Sequence, residues 1–100
     1  MLFMVQMQVN IPATLDKAVA DQLKKDEKEM SQKLQREGKW RDLWRVVGQY
    51  ANVSIFNVSG NDELHNILSA LPLYPFMTIS VTPLTQHPSA IAQIGCSRRI

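Results

Sequence analysis

One carboxylate in this chain stands where a core side chain is expected. Val19, Ala20, Leu23, Met30 and Leu34 recur at helical spacing and form one apolar stripe. Glu27 falls inside it, four residues after Leu23 and three before Met30. An unpaired carboxylate is costly to bury and responds by holding its proton more tightly. A carboxylate tuned toward neutrality is suited to take a weakly acidic C–H proton and return it, the work of a general base. The stripe alone leaves a second reading open, in which Glu27 reaches solvent or pairs with Lys24 or Lys28.

Tyr50, Asn52 and Ser54 alternate, so on a strand they share a face. A phenol beside a carboxamide could bind a carbonyl or carboxylate and stabilise an enolate oxygen. The same residues also fit a plain polar turn and sheet face. His65 falls beside the apolar stripe of a second helix and reads as a surface residue. His87 lies in Gln86-His87-Pro88-Ser89, a bend that suits an active-site arm or a structural tail. Neither histidine has Cys, His or carboxylate companions at ligand spacing, so no metal is expected. Cys96 is the only cysteine and makes neither an intrachain disulfide nor a zinc site. No Ser-His-Asp order, glycine-rich phosphate loop or dinucleotide fingerprint occurs.

The elements that must position these groups alternate in period. Leu2 to Val9 has a period of two, with Phe3, Val5, Met7 and Val9 on one side and Met4, Gln6 and Gln8 on the other, and Asn10-Ile11-Pro12 ends it. A helix is predicted from Thr14 or Asp16 to Gln35 or Glu37, closed by Gly38. Trp40–Val47 and Ala51–Val58 read as a hairpin around a Gly48 turn, with Trp40 and Trp44 on one sheet face. Asn61 opens a shorter helix with the stripe Leu64, Ile67, Leu68 and Leu71. Pro72 and Pro75 bracket an irregular link, Met77–Thr82 is a last strand, and the chain from Pro83 on reads as an arm.

This order predicts an α+β, ferredoxin-like βαββαβ fold. Both helices would cover one sheet face. The other face would carry Met4, Gln6, Gln8, Thr78, Ser80 and Thr82, polar but uncharged, which suits a second sheet and predicts a dimeric α+β barrel. Residues 1–91 are expected to form one domain and 92–100 a C-terminal tail.

Bulk properties narrow the function. The chain has 100 residues, 45% of them hydrophobic and 20% charged, as in an ordinary globular domain. A net charge of +2 with scattered basic residues leaves no footprint for nucleic acid. The apolar start, Met1 to Val9, has no basic leader or cleavage site. No run approaches the roughly 18 apolar residues of a spanning helix, so no membrane association and a cytoplasmic location are expected. A domain this small gains stability by associating with copies of itself.

Several segments together resemble the muconolactone isomerase family. They are Met1-Leu2-Phe3 with Val5 and Met7, Lys24 through Glu27-Lys28, and Gln35-Arg36-Glu37-Gly38. Further along come Leu43-Trp44-Arg45, Gly48-Gln49-Tyr50-Ala51-Asn52, Asp62-Glu63-Leu64-His65, Leu71-Pro72-Leu73 and His87-Pro88-Ser89. The resemblance runs from Met1 to about Ile91.

It implies a cofactor-free enzyme of the catechol branch of the β-ketoadipate pathway, converting muconolactone to 3-oxoadipate enol-lactone by moving one proton and a double bond. It also implies dimers assembled into decamers, with active sites near subunit contacts. Glu27 matches the family's base, Tyr50 and Asn52 its pocket residues, and Lys24 a recurrent lysine assigned to the substrate carboxylate. Ser89 matches a tail position that separates isomerases from the related chloromuconolactone dehalogenase, and serine is the isomerase type. Met4 and Asp42 stand where many isomerases have histidine, and Phe76 and Thr78 replace a common tyrosine and aspartate, which leaves the preferred lactone open. The alternatives are 5-chloromuconolactone dehalogenation, a cofactor-free monooxygenase of the same fold, and a non-catalytic barrel module.

Overall fold

The computed structural model describes residues 1–91; the expected tail at 92–100, with Cys96, lies outside the described residues. The elements are β1 (Leu2–Val9), α1 (Lys17–Arg36), β2 (Trp40–Arg45), β3 (Ala51–Asn57), α2 (Asn61–Ser69), a 3-10 turn (Tyr74–Phe76) and β4 (Met77–Leu84). The strands lie in the order β2-β3-β1-β4, with every neighbouring pair antiparallel. This is the α+β, ferredoxin-like plan that the alternating periods predict.

The alternation of β1 sets the two faces of the sheet. Phe3, Val5 and Met7 are almost fully buried, packed with Leu34 of α1 and with Leu64 and Leu68 of α2. Both helices therefore cover one face. Across the ladder, Phe3 faces Phe56 and Val5 faces Ser54, while Met7 lies between Asn52 and Ile79. Opposed residues in an antiparallel pair share a face, so Asn52 and Ser54 point to the helix side. Gln6, Gln8, Thr78 and Ser80 share the other face and are exposed.

Local chemistry sets the ends of α1. Asp16, rather than Thr14, is the N-cap: its Oδ1 accepts the Ala18 N–H at 3.1 Å. At the other end Gly38 has φ of +81°, a backbone that glycine adopts freely. Its N–H donates to the Gln35 carbonyl and the Lys39 N–H to that of Leu34, both bonds of a Schellman closure. The 20-residue helix thus spans about 30 Å.

Four sequence expectations change. β2 stops at Arg45, because the Gln49 N–H already donates to the Val46 carbonyl to make the turn. β4 runs on through Pro83 to Leu84; it is an edge strand, where a residue without an N–H is tolerated. Val19 is exposed despite its place in the apolar stripe, and Ser31 is buried instead. A wheel gives the angle of a side chain but not whether anything lies opposite it. Finally, Trp40 and Trp44 lie on opposite faces. An irregularity between Trp40 and Asp42 inserts one residue, so Trp40 opposes Phe56 in the core while Trp44 opposes Val53 on the open face.

Candidate active site

Glu27 projects from the middle of α1 toward the end of the sheet where β1 and β2 finish and β3 and β4 begin. It is half-buried, and no ion pair joins it to Lys24 or Lys28 among the described residues. Its Oε1 instead accepts the Leu73 N–H at 3.0 Å. That donor is free because Leu73 precedes the 3-10 turn, and the first N–H groups of a helical turn have no partner within it. The proline-bracketed link thus supplies a backbone donor to the carboxylate. Burial pushes the Glu27 carboxyl above its ordinary value, and the Leu73 N–H opposes part of that rise.

Around Glu27 lies a cavity of about 380 Å³, within the range of small-molecule sites. Lys24 and Lys28 of α1 line it, with Arg45 of β2, Tyr50 and Asn52 beside β3, and apolar Val9, Leu43, Leu73 and Met77. Trp40 closes the inner wall; it stacks on Phe56 with centroids 4.8 Å apart, and its buried indole N–H has no acceptor among the described residues.

The polar groups are arranged rather than scattered. Tyr50 lies beneath two cations, with Lys24 Nζ 5.9 Å and Arg45 Cζ 5.4 Å from its ring centroid. The Ser54 hydroxyl donates to Asn52 Oδ1 at 2.7 Å. That bond engages the carboxamide's acceptor and leaves its NH₂ as the free donor. One carboxylate, two neutral donors and three cations therefore face one small space.

The structure brings together four of the five residues singled out from sequence: Glu27, Lys24, Tyr50 and Asn52. Ser89 is not among them. It sits on the exposed arm after β4, its N–H donating to His87 Nδ1 at 3.0 Å, and does not line the cavity. His65 is exposed on α2. Sequence reasoning about chemistry missed Arg45, which carries a signal only once the β2–β3 register, Arg45 opposite Asn52, is known. It also missed the Leu73 N–H, which no side-chain pattern announces.

Fold and site define a class: a ferredoxin-like α+β protein with a carboxylate-bearing cavity sized for a small molecule. The family model described as muconolactone delta-isomerase matches residues 1–90, and the chain belongs to that family. It is 57% identical over 91 residues to the muconolactone delta-isomerase of Cupriavidus pinatubonensis, covering 91% of this chain and 99% of that one. The Pseudomonas putida enzyme of the same name is 54% identical, with coverage of 91% and 95%. A crystal structure of muconolactone isomerase superposes with a TM-score of 0.87 at 55% identity, covering 91% of this chain and 95% of that one.

Proposed function

We propose that this chain isomerises muconolactone to 3-oxoadipate enol-lactone and that Glu27 carries the proton. Family membership over nine-tenths of the chain supports the reaction, and the half-buried carboxylate without a counter-ion supports the role of Glu27. Glu27 takes the proton from the ring carbon that bears the carboxymethyl arm. The electron pair of that C–H bond moves through the conjugated system onto the lactone carbonyl oxygen, giving a dienolate. The Tyr50 hydroxyl and the Asn52 NH₂ are the donors available to that oxygen. Protonated Glu27 then delivers the proton to the carbon beside the carbonyl, and the double bond comes to rest one position along the ring. One base suffices when both carbons lie on the face it reaches.

The exposed outer sheet face, with Trp44, Gln6, Gln8, Thr78 and Ser80, pairs with a second copy as a dimeric α+β barrel, and dimers assemble into decamers in the cytoplasm. Ser89, remote from its own cavity, reaches a site from the arm of a neighbouring copy. Residues 1–91 act as the catalytic domain, and 92–100 as an appended tail.

An ultraviolet assay of muconolactone turnover, run beside chloride release from 5-chloromuconolactone, tests the reaction. Isomerisation should dominate; chloride release with no isomerisation would move the chain to the dehalogenase reading. The same assay against pH tests Glu27. Only the ionised carboxylate accepts a proton, and its pKa is raised, so kcat/KM should fall on the acid side through a midpoint above the ordinary glutamate value. A limb at or below that value would contradict the assignment.

A further inference from the structure

The family resemblance assigns the carboxylate on the substrate's side arm to Lys24, and the register of β2 offers a different cation for it. We propose that Arg45 is the anchor and hence the residue that selects a lactone bearing an acid group. The inference rests on the isomerase reading of the site.

Three cations line the cavity, and Arg45 differs from the two lysines in its setting. It ends β2 directly opposite Asn52, so its side chain leaves the sheet on the same face as the proposed enolate donor. Its guanidinium is held 5.4 Å from the Tyr50 ring centroid, which limits where it can point. Its only hydrogen bond among the described residues is a long one, Nη1 to the Gln49 carbonyl at 3.5 Å. No acidic side chain pairs with it there. Most of its donors are therefore unused, on a planar group whose geometry matches a carboxylate with two parallel N–H···O bonds.

The lysines fit the role less well. Lys24 and Lys28 stand on either side of Glu27 on the same helix, one turn before it and one residue after it, on flexible stems. An ammonium on such a stem offers a point charge rather than the paired, planar donors that a carboxylate takes. Arg45 rises from the sheet, on a different element. An anion bound there would leave the ring over Glu27 and its arm toward β2. The site would then discriminate by charge: an acid-bearing lactone meets a waiting fork, and a neutral analogue leaves that cation without its partner.

The test is steady-state kinetics of the wild type, R45Q and R45K on muconolactone and on its methyl ester, which is neutral at the arm. R45Q should raise KM for muconolactone roughly 10- to 100-fold, the value of a lost charge-assisted hydrogen bond, with kcat changed far less. The loss on the methyl ester should be much smaller, so that the acid-over-ester ratio of kcat/KM falls, and R45K should recover part of the ratio. An equal loss on acid and ester, or no loss on either, would overturn the proposal while leaving the isomerase reading in place. A wild-type protein that turns over neither lactone would overturn both. Arg45 is exposed, and matched thermal unfolding of the three proteins verifies that the fold is kept.

Discussion

Replacing Glu27 with glutamine is expected to cut muconolactone turnover by about 10²–10⁴-fold, the usual contribution of a positioned base. The amide keeps the shape of the side chain and an oxygen to accept the Leu73 N–H, so the cavity wall should not move. What disappears is the ability to take a proton. Stability should respond in the opposite direction. Because burial raises the folded-state pKa of Glu27, its contribution to stability is fully present below the unfolded-state value and is lost as pH rises through the folded one. At neutral pH the wild type therefore holds a half-buried charge at a cost, and E27Q removes it. A variant that is far slower yet no less stable separates a catalytic role from a structural one. Near-normal turnover by E27Q would end the proposed mechanism.

The second large effect concerns the core. Phe56→Ala should destabilise the fold by about 3–5 kcal/mol. Phe56 is fully buried, faces Phe3 on one neighbouring strand and Trp40 on the other, and stacks on Trp40. Its removal opens a void in the core between Phe3 and Trp40 that neither neighbouring strand can close without breaking ladder pairs. For a domain this size the loss lowers Tm by roughly 12–40 °C. It also loosens Trp40, the inner wall of the cavity, so activity should fall with stability in this variant, unlike in E27Q. Denaturation at matched protomer concentration measures the effect, since association would shift the midpoint. A loss under about 1 kcal/mol would mean that the cavity left by the ring collapses freely.

Much of the fold was legible because period and face are local properties. The alternation in β1 marks Phe3, Val5 and Met7 as core, and the helical stripe marks Leu34 as core and Glu27 as the exception. Tyr50 and Asn52 were legible together for the same reason, as alternate residues of one strand edge. What was hidden depends on how elements meet. The extra residue between Trp40 and Asp42 flips every later side chain of β2, and no composition signal in Arg41 announces it. That flip takes Trp44 off the core face and gives Arg45 to the cavity. The Leu73 N–H is a backbone group freed by a turn, invisible to any reading of side chains. Ser89 matched the family by position, yet it is exposed and does not line the cavity.

These features sharpen the account of Glu27. The alternative of an ion pair with Lys24 or Lys28 predicts a pKa lowered by a neighbouring cation. The geometry gives one backbone donor, desolvation and no paired lysine among the described residues. The difference between those two states of the carboxyl can be observed directly.

The decisive measurement is an isotope-edited infrared titration of the Glu27 carboxyl, beside the pH profile of kcat/KM for muconolactone. The E27Q spectrum identifies the band. The carboxylate signal should be lost at a midpoint above the ordinary glutamate value, and this midpoint should coincide with the acid limb of kcat/KM, which reports the free enzyme. A Glu27 that titrates at or below the ordinary value, or an acid limb that does not follow it, would contradict the claim that Glu27 moves the proton.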